Sequence, residues 1–303
     1  MSSTRFSTPK SGSTDMTTAT ASRSFKSAVW APFHRMPVSI GMCCAWIAIV
    51  VIIGISARWT APYDYLHQDP LARFAKPFVS AAHVLGTDYL GRDVVSNLLV
   101  ATQTTLMIAV VGSLICALIG TCLGLIAAHF GGWIDNAIMG FSDAMASVPF
   151  IIVALGILAI FGSSPLLFVF LVGFANWERY ARLTRGLVLS AKEEGYAEAA
   201  RIVGVPPMRI YLRHMLPNIA GPLIVQFTVN FPEIILLESG LSFLGLGIQP
   251  PATSLGLMVA DGRNYLAIAW WLAAFPGAVI VLTTLSISLL GDYLRDRFDA
   301  RLR

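Results

Sequence analysis

The sequence predicts an all-α polytopic membrane protein. Of its 303 residues, 56% are hydrophobic and only 13% are charged, where soluble domains carry about 25% charged residues. Mean hydropathy is +0.70. Several apolar runs reach the roughly 20 residues that a helix needs to cross a bilayer. The net charge of +4 is modest, and no nucleic-acid partner is expected from it. Cys43, Cys44, Cys116 and Cys122 all lie in apolar runs. They read as reduced, small apolar side chains rather than as a disulfide framework.

Taken in order, residues 1–36 are rich in Ser and Thr with scattered basic residues. Such a composition cannot build a core and predicts a disordered tail. An acid-poor start with Arg and Ser also shares its composition with organellar transit peptides, without further support. The first span covers residues 37–58. Its apolar run is too long and too far inside the chain for a cleaved signal. Five more helices are expected at 104–128, 136–161, 165–180, 219–239 and 267–290. The fourth is the weakest, because its apolar stretch ends near Trp177 and a polar extension follows. Gly131-Gly132 marks one turn, and Gly162 to Pro165 marks the next. Pro149, Pro232 and Pro276 are expected to kink their spans. Gly120 and Gly124 form a G-x-x-x-G pair that permits close helix packing, although chance often produces this spacing. Trp177 and Trp270-Trp271 read as interfacial anchors.

Charge location sets the direction. With the N-terminus inside, inner segments hold 16 of the 21 Lys and Arg residues, and outer segments hold Arg58, Arg73, Lys76, Arg92 and Arg263. The positive-inside rule then places both termini and the 178–214 loop in the cytoplasm. Residues 59–103 and 248–266 face outside. The membrane core runs over 104–292, with its main polar loop at 190–217, and 293–303 form a cytoplasmic tail.

That loop has a definite local grammar. Gly204 suits the left-handed residue that ends a helix, and Pro206-Pro207 bar continuation. Two short helices, 196–203 and 208–214, are expected around this elbow. Ala199 and Ala200 leave one face small enough for another surface to approach closely. Glu198 and Arg201 are three apart and can pair. From the physics alone, a docking element and an amphipathic loop lying on the membrane stand equally.

The stretch EAARIVGVPPMRIYLRHMLP, residues 198–217, resembles the EAA loop of ABC importer permeases. The matching residues are Glu198, Ala199, Ala200, Gly204, Leu216 and Pro217, with Arg201 and His214 inside the same segment. HVLGTDYLGRD at 83–93, LSFLGLGIQPP at 241–251 and LGDYLRDRFDARLR at 290–303 resemble hallmarks of the dipeptide/oligopeptide permeases, second-permease type. His83-Val84 departs from the Pro expected before Leu85. The resemblance runs from about residue 35 to the end. It implies the type I importer architecture with six spans, in the bacterial inner membrane. It implies that the loop seats on an ATPase subunit. The implied partners are a homologous permease forming a heterodimer, two ATP-binding subunits and a periplasmic solute-binding protein. The implied cargo is di- or oligopeptide; relatives also carry nickel, glutathione or antimicrobial peptides.

An independent negative agrees. The phosphate-binding loop G-x-x-x-x-G-K-[ST] needs a Lys after Gly. Lys10, Lys26, Lys76 and Lys192 are the only lysines, and none follows Gly. No catalytic role is therefore expected, and no cofactor in this chain; ATP and Mg would be bound by partners. The five His residues lack paired ligand spacing, so no metal site is expected either.

Asp143, Glu233 and Glu238 fall within or beside spans. Ionisable groups there are expensive and face protein or water, so they are candidates for the path or its gate. Asp143 can equally sit at the inner interface and pair with a loop Arg. For Glu238 a structural hydrogen bond to the nearby Gly-rich backbone is the favoured reading. An ion-coupled secondary transporter would show repeated halves around midplane charges; no repeat is visible. A non-transporting assembly factor would have no need of intramembrane acids.

Overall fold

The computed structural model describes residues 37–162, 164–193 and 215–299. Nine α-helices occupy these residues: α1 (Val38–Thr60), α2 (Val94–Phe130), α3 (Gly132–Ser147), α4 (Phe150–Phe161), α5 (Pro165–Gly173), α6 (Trp177–Glu193), α7 (Leu216–Phe243), α8 (Leu255–Arg263) and α9 (Trp271–Asp299). A short 3-10 turn covers Pro70–Ala72. Among the described residues the extended structure is one isolated bridge, Thr87 to Asp93. The expected N-terminal tail and the two loop helices lie outside the described residues.

Among the described residues four helices are long and apolar enough to cross a membrane, and the bent pair α3–α4 makes a fifth if it is one span. Six continuous spans were expected. The third is broken by 86° between α3 and α4. Val148-Pro149 is the break: Val148 is extended and Pro149 caps α4, as the pre-proline restriction dictates. The fourth expected span is split as well. Asn176 takes a left-handed φ of 61°, which ends the helical turn before α6. Pro232 and Pro276 behave differently, lying inside α7 and α9 without interrupting them.

Two boundaries also move. The segment expected outside at 59–103 gives up its last ten residues to α2. Asp93 caps that helix, its Oδ2 accepting from the Ser96 N–H and hydroxyl at 2.8 Å each. Ser96, Asn97 and Thr102 dilute the hydropathy there, but all three are buried against protein rather than lipid. At the other end α9 runs on to Asp299 with an exposed charged face.

α2 is the central element. It packs against α1, α3, α5, α6, α7 and α8. Its closest approach is to α6. A Cβ on Gly120 would overlap the Trp177 carbonyl and the Tyr180 Cβ. One on Gly124 would lie 2.5 Å from the Ala181 carbonyl and 2.8 Å from the Thr184 Cβ. The G-x-x-x-G pair is therefore a helix–helix contact. α6 presents the complementary stripe of Trp177, Tyr180, Ala181, Thr184 and Val188, all buried, at the spacing of one helical face. Trp177 is thus a core residue and not an interfacial anchor; its ring stacks 5.6 Å from Phe141 on α3. Trp271 is also buried, whereas Trp270 remains exposed.

α1 is tied on by two polar contacts. Trp46 Nε1 donates to Thr283 Oγ1 on α9 at 3.2 Å, and Gln103 Nε2 on α2 donates to the Gly54 carbonyl at 2.8 Å. Most of its apolar side chains stay exposed on the outside of the bundle.

The α2–α6 contact gives a direct test. Gly120→Ala forces the two backbones apart and should cost about 1–3 kcal/mol, the usual range for overpacking. Gly156→Ala on α4, where a Cβ meets nothing within 4 Å, should be neutral. Thermal melting of the detergent-solubilised protein, followed by size-exclusion, should show a lower midpoint for Gly120→Ala alone.

Candidate functional site

The broken span and α6 together build a polar site. α6 carries Arg179, Arg182 and Arg185 along the edge beside its buried stripe, at the i, i+3, i+6 spacing that keeps them near one face. Each finds an acid from another helix. Arg179 Nη1 lies 2.7 Å from both carboxylate oxygens of Glu233 on α7. Arg182 Nη1 lies 3.1 Å from Asp143 Oδ1 on α3. Arg185 grips Asp135 at the start of α3 with two parallel bonds, Nε to Oδ1 at 2.5 Å and Nη2 to Oδ2 at 2.6 Å. This fork geometry is specific to Arg and stronger than a point-charge contact.

A cavity of about 280 Å³ opens at the 86° break, between Met145, Pro149, Phe174, Asn176, Arg179 and Arg182. The left-handed backbone of Asn176 aims its amide across this region. Its Nδ2 donates to Glu233 Oε2 at 3.1 Å and to Asn230 Oδ1 at 3.3 Å. Two of the acids singled out from the sequence, Asp143 and Glu233, thus come to this one neighbourhood, each held by an arginine of α6. The sequence alone suggested an Arg partner for Asp143 and none for Glu233.

Glu238 lies elsewhere. It is 0% exposed and is held by hydroxyls, not by the Gly-rich backbone expected for it. Ser242 Oγ donates at 2.8 Å, Thr105 Oγ1 at 3.3 Å and Ser239 Oγ at 3.4 Å. Thr105 Oγ1 also accepts from the Leu255 N–H at 3.1 Å. A buried carboxyl is thereby satisfied, and it ties α7 to α2 and to the start of α8.

Of the loop residues, Leu216 and Pro217 open α7, with Pro217 in the first turn, where its missing N–H costs nothing. Met215, just before them, is buried with Ala128, Val188 and Ile219. Glu198, Ala199, Ala200, Arg201, Gly204 and His214 lie outside the described residues. The loop's two attachment points, the end of α6 and the start of α7, are therefore packed together against the end of α2. Lys192 Nζ adds a hydrogen bond to the Ala128 carbonyl there.

At the opposite end of α2, residues 61–93 form an ordered strap that hydropathy could not reveal. Asp88 Oδ1 accepts from the Leu90 and Arg92 N–H groups at 2.8 Å each, and Oδ2 from Arg92 Nε at 2.6 Å. Gly86 and Gly91 supply the positive φ values the turn needs. Trp271 Nε1 donates to the Thr87 carbonyl at 3.4 Å. The signal was present in GTDYLGRD as a Gly- and Asp-rich turn, but nothing in it named what the turn packs against. Burial raises the Asp261 carboxyl above the usual aspartate range; Arg92 opposes this and Asp88 adds to it. Burial likewise raises the Tyr89 hydroxyl, with Asp261 the next contribution.

Comparison with known proteins identifies the class. Residues 120–303 match the family described as "Binding-protein-dependent transport system inner membrane component". The chain belongs to this family of ABC importer permeases and is a multi-pass inner-membrane transport subunit. It is 37% identical over 277 residues to the glutathione transport system permease protein GsiD of Escherichia coli O6:K15:H31 (strain 536), covering 90% of each chain. It is 34% identical over 257 residues to the oligopeptide transport system permease protein OppC of Haemophilus influenzae, covering 85% of this chain and 83% of that one. A solved structure of the MetNI methionine ABC transporter, in an inward-facing conformation, superimposes with a TM-score of 0.53 at 20% identity. It covers 66% of this chain and 95% of that one, and it establishes the type I importer permease fold. Family membership removes the secondary-transporter and assembly-factor readings.

The Arg185–Asp135 fork should behave as a unit. Asp135→Arg or Arg185→Asp alone should lower transport by the assembled complex, and the charge-swapped double variant should recover part of the loss. A double-mutant cycle on initial uptake rates measures that coupling; strict additivity would show that the pair does not act together.

Proposed function

We propose that this chain is one of two permease subunits of an importer that carries short peptides, glutathione included, across the membrane. The cargo rests on its relatives, one named for glutathione and one for oligopeptides. No phosphate-binding loop exists in the sequence, so hydrolysis of ATP with Mg belongs to two partner ATPases on the cytoplasmic side. Both termini are cytoplasmic, and the end carrying the 61–93 strap faces the solute-binding protein.

The observation that carries the mechanism is the clamp around the loop. Glu193 and Met215 bracket residues 194–214. α6 is fixed to α2 by backbone contact at Gly120 and Gly124 and to α3 by Arg185 and Arg182. A push on Glu198 to Pro217 by a docked ATPase then moves α6, α2 and the α3 half of the broken span together, and α4 swings relative to them. The cavity at the break, with Asp143, Glu233 and their arginines, is the gated inner part of the path. Glu238 joins the helices at the other end.

Gly204→Asp and Glu198→Lys should leave membrane insertion intact while releasing the ATPases or uncoupling them from uptake. Copurification of two ATPases and a second permease, with uptake of labelled dipeptide, oligopeptide, glutathione and nickel measured in parallel, checks the role and the cargo together. Normal uptake in both variants would end the docking role.

A further inference from the structure

α7 runs unbroken through Pro232. A proline inside a helix has no N–H to donate, so the Thr228 carbonyl, four residues back, loses its helical partner. Long helices bend at such positions. Phe231 and Ile234 beside it are buried, but apolar contacts are non-directional and do not fix a bend angle.

Directional contacts come from Asn176. Asn230 and Glu233 are three apart and share one face of α7, one before Pro232 and one after it. Asn176 Nδ2 donates to Asn230 Oδ1 at 3.3 Å and to Glu233 Oε2 at 3.1 Å. An amide nitrogen carries two N–H groups, so both bonds form at once, and a carboxylate only accepts, so the nitrogen of the amide faces it. Asn176 is itself held from behind. Cys116 Sγ on α2 donates to the neighbouring Ala175 carbonyl at 3.0 Å and accepts from Asn230 Nδ2 at 3.5 Å. Cys116 and Asn230 are both 0% exposed. The φ of 61° at Asn176 is one that glycine adopts freely and asparagine tolerates. Glycine would make the turn without an amide, and aspartate would set a second carboxylate against Glu233. Asparagine supplies both the turn and the two donors.

We propose that Asn176 is a positioning residue that clasps α7 across Pro232, so that a push at the start of α7 reaches Glu233 and the Glu238 anchor without being lost as a bend. This rests on the reading of the preceding subsection that a docked ATPase acts on the loop. With the clasp closed, α7 belongs to the same body as α2 and α6. Without it, the inner half of α7 tilts at Pro232 while the outer half stays tied to α2 through Glu238 and Thr105, and ATP is hydrolysed without opening the path.

The test uses the complete transporter, with both permeases, the ATPases and the solute-binding protein, in proteoliposomes. Asn176→Gly keeps the left-handed turn and removes the amide. It should lower uptake of labelled dipeptide per ATP hydrolysed by about fivefold, the scale of a modest coupling between sites, while ATPase activity persists. Pro232→Ala returns the missing backbone hydrogen bond and makes the clasp dispensable. The double variant Asn176→Gly/Pro232→Ala should therefore recover most of the uptake per ATP, and Pro232→Ala by itself should match the wild type. A residue that only packed the protein or touched cargo would gain nothing from a change at Pro232, so a double variant without recovery would overturn the proposal. So would wild-type uptake per ATP in Asn176→Gly. Should Asn176→Gly not assemble, the wild type decides. Spin labels at Ile224 and Leu244, one on each side of Pro232 and both exposed, are each paired with one at Leu118. Both distances should be the same in the ATP-free and ATP-trapped states, and a shift in either would overturn the proposal. Normal uptake in Glu198→Lys would end the docking reading instead, a result separate from suppression by Pro232→Ala.

Discussion

At its closest approach the contact between α2 and α6 has no side chain on the α2 surface. Gly120 and Gly124 let the α6 backbone approach so closely that any Cβ would overlap it. In lipid there is little hydrophobic drive between helices, so association depends on packing at short range and on hydrogen bonds. Everything polar on α6 is placed by this contact. Once the stripe from Trp177 to Val188 is buried, Arg179, Arg182 and Arg185 reach acids on α7 and α3. The same docking brings the end of α6 beside Met215 and the start of α7, so both ends of the 194–214 segment are fixed to one rigid pair of helices.

The broken span is the counterpart of that rigidity. α3 and α4 meet at 86°, and each half is anchored differently. α3 is held to α6 through Asp135 and Asp143. α4 packs by apolar contacts, with Ala154 and Leu158 in the main core. A helix pair joined at Val148-Pro149 can change its angle without breaking internal hydrogen bonds, since the proline has none to lose there. Polar groups cluster at this joint because a backbone break in a membrane is tolerated only where protein or water covers it.

Much of this was legible in the sequence, and the misses have common physical causes. Hydropathy located four long spans, and Pro149 marked a kink in the third expected span that proves to be an 86° break. The EAA stretch and its companion motifs named the family. Hydropathy failed wherever a polar residue is buried against protein: Ser96, Asn97 and Thr102 start α2 ten residues early, and the fourth span splits through a left-handed turn at Asn176, a residue that is neither Gly nor Pro. Trp177 was misread because a tryptophan near a span end is ambiguous until its neighbours are known. Glu238 was read as structural, but its partners, Thr105 and Ser242, are hydroxyls whose convergence is a tertiary fact.

The central claim is that α2 and α6 move as one body when the ATPases act on the loop. Spin labels at Leu118 on α2 and Leu189 on α6, both exposed, would measure this directly in the assembled transporter. Pulsed dipolar distances between them should be the same in the ATP-free state and in the ATP-trapped state, while a label at Ile152 on α4 should change its distance to Leu189. A shift of several ångströms between Leu118 and Leu189, with the α4 distance unchanged, would contradict the account.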